Sequence, residues 1–263
     1  MTDSRVISLR SIVIPTEHGG WGFTLEPVLL GLLVAPGVAG VMLAVTALAL
    51  FLCRRPLRMA WTDRRMGRHF PRTVLAERVS LVLLAIAGAG MAVAALTARG
   101  PFWWPLAAAA PSAVLQVWAD ATRRSRHLLP EIAGAGSLGG FATAIALADG
   151  WAAVPAFGLW WVLLARTVAS VILVRVLLRR VKGDRSPAAA VHGAHALAVA
   201  ALGSLAVTDV IPFPAAASLA VLWVGAWAVL RHPPGAARTV GWTQIAAGLL
   251  VVALTAAGHH LGW

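Results

Sequence analysis

The chain has one cysteine, Cys53, no tyrosine, a single lysine and only 10 acidic residues in 263. One cysteine excludes an intramolecular disulfide and a cysteine-based metal cluster. Charged residues make up 12% of the sequence, against roughly 25% in a soluble domain, and 59% of residues are hydrophobic. Those two shares exclude an ordinary soluble globule. The first fifteen residues, MTDSRVISLRSIVIP, are polar and mixed, without the apolar centre that a cleavable signal peptide needs. The missing tyrosine is offset by 12 tryptophans, the other residue that anchors helices at a membrane interface.

What is present is apolar sequence cut into lengths. A bilayer core takes about 20 apolar residues per helix, and the expected segments run over 18–35, 37–53, 74–97, 102–119, 131–148, 152–174, 188–207, 213–230 and 240–258. The expected fold is therefore all-α: a polytopic membrane bundle of about nine transmembrane helices, forming one domain over 1–263. Cations test the count, because short cytoplasmic loops collect arginine and lysine. Every cation except Arg99 and Arg166 falls in the N-terminal tail or in the connections after the second, fourth, sixth and eighth segments. The alternation places the N-terminus in the cytoplasm and the Gly258-His259-His260 end outside. The net charge of +12 then points to the anionic inner leaflet as partner, and not to nucleic acid.

The densest cationic stretch, Arg54 to Arg78, reads RRPLRMAWTDRRMGRHFPRTVLAER and is expected to be a membrane-surface loop, since so many unpaired charges cannot be buried. Its arginines are either headgroup contacts or an anion site, because guanidinium forks grip phosphate and carboxylate in pairs. Asp63, alone among them until Glu77, is expected to pair with one of them. Thr73 reads as the cap of the third helix.

Four further features carry chemistry. His18, Gly22 and Glu26 recur at intervals of four and share a helix face; a carboxylate two turns inside the membrane must meet a polar cavity or a cation. Gln116 and Asp120 share a face with Arg123 and Arg124, so that Asp120 has a local partner in Arg124. Arg166, in mid-helix, must find an acid, a carbonyl or water, and Glu26 is its expected partner. His192 and His195 stand three apart, a spacing used by zinc sites, but no third ligand is evident and packed, hydrogen-bonded histidines are the expectation. Gly134 to Gly139 matches GxGxxG inside an apolar helix with no strand before it, which rejects a dinucleotide site. Gly136 and Gly140 are instead spaced for close helix packing.

Residues 15 to 33, PTEHGGWGFTLEPVLLGLL, resemble the opening signature of the YwiC-like family of bacterial membrane proteins. Arg55-Pro56-Leu57, Asp63 with Gly67 to Thr73, Pro130 to Gly134 and the Arg166 to Arg175 helix agree with that resemblance, which implies the plasma membrane of a bacterium but no defined activity. A more distant similarity is to the UbiA superfamily of intramembrane prenyltransferases, in helix number, orientation and loop placement. It implies a UbiA-like arrangement and a prenyl or quinone-type ligand. Those relatives bind Mg²⁺ diphosphate through aspartate-rich motifs after helices two and six, where this chain keeps only Asp63 and Asp184. Magnesium needs carboxylates, so no metal site is expected.

The combined expectation is a cytoplasm-facing cavity in which Arg55, Arg58, Asp63, Arg72, Asp120, Arg123 and Arg166 receive an anionic or quinone-like amphiphile. If the protein is an enzyme, His18 or Glu26 handles protons. The alternative is a transporter or a non-catalytic lipid-binding protein.

Overall fold

The computed structural model describes residues 9–14, 18–67, 70–122, 127–184, 186–233 and 235–262. Among these residues all regular structure is helical, in ten segments. A five-residue turn, α1 (Leu9–Val13), precedes α2 (His18–Val34), α3 (Val38–Arg65), α4 (Pro71–Thr97), α5 (Trp103–Ala121), α6 (Leu128–Ala148), α7 (Ala153–Val181), α8 (Ala189–Val207), α9 (Phe213–Arg231) and α10 (Ala237–Leu261). Nine long helices thus replace the nine apolar segments almost one for one. Seven of them, α3, α4 and α6 to α10, are long and apolar enough to cross a membrane, and Gly20–Val34 of α2 is a shorter apolar stretch.

The main correction concerns the arginine-rich stretch. It is not a loop: α3 continues unbroken to Arg65, α4 begins at Pro71, and the connection is confined to a few residues. Arginine, leucine, methionine and alanine are all good helix formers, so nothing but Pro56 opposes continuation. At 1.5 Å per residue the 28 residues of α3 extend about 42 Å, well beyond a hydrocarbon core of about 30 Å, which lifts the arginines into the headgroup layer. The 29-residue α7 does the same with Arg175, Arg179 and Arg180. The cap also differs: Pro71 occupies the first turn of α4, and Thr73, two residues on, accepts the Phe70 backbone N–H at 3.3 Å.

Helix α6 forms the centre, packed against α2, α3, α5 and α7, and α10 closes the other side of α2 against α9. The half of α6 from Gly139 to Ala148 is wholly buried. Ile145 explains how its neighbours come so close. A Cβ at Gly31 of α2 or at Gly40 of α3 would stand 2.9 Å from Ile145, so two glycine notches receive one side chain. On the opposite flank Gly139 lies under Trp160, whose indole N–H donates to the Gly136 carbonyl at 2.8 Å. The GxGxxG-like run is therefore a packing surface.

Connectivity brings the cationic helix ends to one end of the bundle, where side chains tie the helices together. Arg54 of α3 pairs with Asp120 of α5 at 2.6 Å, Arg175 of α7 with Glu131 of α6 at 3.0 Å, and Arg180 of α7 donates to the Leu230 carbonyl of α9 at 2.9 Å. At the other end Arg99 faces Asp149 at 3.7 Å and His260 bonds the Leu33 carbonyl at 2.8 Å.

Candidate functional site

Glu26 and Arg166 meet. The carboxylate of α2 and the guanidinium of α7 stand 2.9 Å apart, with side-chain exposures of 4% and 2%. An ion pair so completely removed from water carries a large desolvation cost, which makes it a functional-site candidate by default. Three neighbours support the guanidinium. The Gln244 carbonyl of α10 accepts from Nη2 at 2.6 Å, and the Phe23 ring lies 5.2 Å beneath it. Gly248 of α10 supplies the space, since a Cβ there would overlap the Glu26 carboxylate and stand 2.8 Å from Arg166 Nη2. Among the described residues Arg166 Nε nevertheless has no hydrogen-bond partner, and Glu26 Oε1 meets Arg166 Nη2 as an ion pair without an aligned hydrogen bond.

These two residues floor a cavity of about 420 Å³ enclosed by α2, α7 and α10 with Glu131 of α6. Arg166, Ser170, Val174 and Leu178 line it at successive intervals of four along α7, a length of about 18 Å at the helical rise. The antiparallel α10 contributes Ala237 and Arg238 at the wide end, then Gly241, Gln244 and Ile245 toward the floor. The mouth thus holds Arg238 and Glu131, the latter paired with Arg175, and opens at the cationic end of the bundle. Between mouth and floor Val171, Val174, Val240 and Ile245 make the walls apolar. The volume falls in the range typical of small-ligand sites.

Pro27, one residue past Glu26, has no N–H and so removes the donor that would close on the Phe23 carbonyl. A helix weakened at that point borders the cavity.

The other expected binding residues that the structure describes do not line this cavity. Asp63, 4% exposed, receives Arg72 through both oxygens at 3.0 and 3.1 Å and the Thr73 hydroxyl at 2.8 Å, which ties the end of α3 to the start of α4. Asp120 is held by Arg54, and its expected local partner Arg124 lies outside the described residues. Arg55 donates to the Ile14 carbonyl, and Arg58 is exposed on α3. Arg123 and Arg124 lie outside the described residues, as does the side chain of His18, although its backbone begins α2. The structure therefore distributes the described arginines over several ion pairs and, among them, brings Arg166 alone to Glu26. Sequence reasoning missed Gly248, Phe23 and the Gln244 carbonyl, and it read Arg238 only as a topology marker. Nothing about a glycine in an apolar helix distinguishes the one beneath an ion pair.

The residues do not fit a magnesium site of the prenyltransferase kind. Asp63 has both oxygens committed to Arg72 and Thr73, and Asp184 is exposed beyond the end of α7. Among the described residues no three of His, Cys, Asp and Glu gather as metal ligands would. His192 accepts the Trp223 indole N–H at 3.2 Å, and His195 is buried with Nδ1 2.8 Å from the Val191 carbonyl.

An all-helical chain with seven spans of membrane-crossing length and composition, and an ion pair buried among its helices, defines a multi-pass membrane protein. The family described as YwiC-like protein matches residues 14–146, just over half the chain, and the chain belongs to that family. The match contains Glu26 and Glu131 and ends before the helices that bring Arg166, Arg238 and Gly248. No curated protein and no solved structure matches the chain.

Proposed function

We propose that the protein binds an anionic amphiphile in the α2–α7–α10 cavity, with the cationic mouth facing the cytoplasm and the head of the ligand reaching Arg166. The observation that carries this reading is the unpartnered Arg166 Nε at the floor of an apolar-walled cavity. A buried guanidinium donor left unpaired is costly. A carboxylate, sulfate or phosphate oxygen would satisfy it, and a chain of methylenes would match the valine and isoleucine walls. Arg238 at the mouth would draw anions inward. Such a site suits a carrier or a lipid-binding accessory protein of the bacterial plasma membrane.

A UbiA-like transferase is the weaker reading, because Asp63 is already engaged by Arg72 and Thr73.

Native mass spectrometry of the protein released from membrane discs tests the proposal. One anionic amphiphile per chain is expected on the wild type and is expected to be missing from Val174→Trp, which fills the cavity while leaving the ion pair in place. The mass of the bound species separates a phospholipid of the leaflet from a single-chain acid taken from water. Equal retention by both proteins would end the proposal.

A further inference from the structure

The floor of the cavity is electrically balanced before any ligand arrives. Glu26 and Arg166 cancel at 2.9 Å, and at the mouth Glu131 and Arg175 cancel at 3.0 Å. An anion that reaches Arg166 Nε must therefore stand within a few ångströms of the Glu26 carboxylate, in a space whose walls are largely apolar. Two negative charges would then share one guanidinium. Little else is placed to compensate the second charge. The elements packed against α2 are α3, α6, α7 and α10. The charged groups they contribute to the cavity lining are Glu131, Arg166 and Arg238, with none from α3. Glu131 has the wrong sign and is already paired, and Arg238 stands about two turns of α10 from the floor. On α2 itself His18 lies one turn before Gly22, with its side chain outside the described residues.

Resting on the ligand reading above, we infer that the site binds its anion together with one proton, which is taken up by Glu26 as the ligand takes over Arg166. Protonation leaves the cavity with one guanidinium and one anion, the same charge balance as before binding. The ligand head replaces Glu26 as the guanidinium's partner, and the neutral carboxyl keeps an O–H with which to donate to the ligand or to a backbone carbonyl. Glu26 Oε1, the oxygen 2.9 Å from Arg166 Nη2 in the resting pair, is the atom that takes that proton once the guanidinium turns to the ligand. The tight fit at Gly248 makes the exchange exclusive, because no room exists for the carboxylate to withdraw toward α10. The ion pair is thus a resting latch, and the coupled species is a proton with an organic anion.

Linkage fixes the sign. Where unliganded Glu26 is ionised, each bound anion consumes one proton, so affinity falls about tenfold for each unit rise in pH. Octanesulfonate is a suitable probe, since it stays a monoanion throughout and any proton that moves belongs to the protein. Calorimetric titration of the purified protein in zwitterionic lipid discs, in two buffers of different ionisation enthalpy, should give an uptake of one proton per sulfonate, with Val174→Trp discs supplying the background of partition into lipid. Glu26→Gln should take up none, bind with an affinity independent of pH, and exceed the wild type at pH 8. Glu77→Gln, at a carboxylate that pairs with Arg64 away from the cavity, should keep the coupling. In anionic discs the apparent affinity drops if a headgroup is the natural occupant and is unchanged if the anion comes from water.

Saturable binding that Val174→Trp abolishes, but with no proton uptake and constant affinity from pH 6 to 8, overturns the coupling and leaves the site standing. Uptake that persists in Glu26→Gln overturns the assignment to Glu26. Absence of saturable binding at every pH overturns the ligand reading and the coupling together. The wild-type measurement decides the central point even if Glu26→Gln fails to fold.

Discussion

Replacing Gly248 with alanine is expected to break the Glu26–Arg166 pair and to lower the stability of the protein by several kcal/mol. A methyl group at that position occupies the volume of the Glu26 carboxylate and lies 2.8 Å from Arg166 Nη2. The side chain of α2 must swing away, and the guanidinium is then left with the Gln244 carbonyl and the face of Phe23. Separating a buried ion pair costs about 3–5 kcal/mol, to which overpacking adds roughly 1–3 kcal/mol where the helices cannot part. For a chain of this size about 3 kcal/mol corresponds to a fall in Tm of roughly 6–12 °C. Thermal unfolding in detergent measures it. The same change at Gly88 of α4, where a Cβ would meet nothing within 4 Å, is the control and should leave Tm nearly unchanged.

The second large effect is non-additivity at the pair itself. Arg166→Met strands a carboxylate that is 4% exposed, and Glu26→Leu strands a guanidinium that is 2% exposed. Each single change should cost about 3–5 kcal/mol. The double change removes both charges and fills the space with apolar atoms, so it should cost far less than the sum, leaving a coupling energy of about 3 kcal/mol. Unfolding in mixed micelles provides the four free energies. Simple additivity would mean that the two groups do not rely on one another. The double variant also separates stability from function, since it should fold and yet bind no anion.

Much of this arrangement was legible in the sequence because membrane burial is such a coarse filter. Apolar length alone located the helices: the segment read as 18–35 is His18–Val34, and the one read as 213–230 is Phe213–Arg231. The partnership of Glu26 with Arg166 was legible for the same reason, since two charges inside apolar helices have few other partners. What was not legible depends on geometry between helices. Asp120 on α5 takes Arg54 of α3 as a partner at 2.6 Å, a pairing between helices that no local spacing announces. The arginine-rich stretch looked like a loop because charge was read as solvent exposure. In fact a helix longer than the membrane is thick can carry those charges past its surface. The cavity escaped sequence reading because its walls are ordinary valines and isoleucines, and its floor depends on one glycine among 25.

The family signature also takes on a physical meaning. His18, Gly22, Glu26 and Pro27 belong to α2, one of the three helices that enclose the cavity. Gly22 lies against Glu26, where a Cβ would stand 3.4 Å from Oε1, and Pro27 withdraws a backbone donor just beyond it. The motif therefore places a carboxylate, the room around it and a weakened helical turn together.

The central claim is that an anionic amphiphile occupies the cavity above Arg166. Photo-crosslinking with a diazirine-bearing alkyl carboxylate, followed by peptide mapping, tests it most directly. The account predicts labelling of cavity-facing residues such as Phe23, Val174 and Ile245, competed by octanesulfonate and lost in Val174→Trp. Labelling spread over the lipid-facing surfaces of α4 and α8, unaffected by competitor or by the filled cavity, would contradict it.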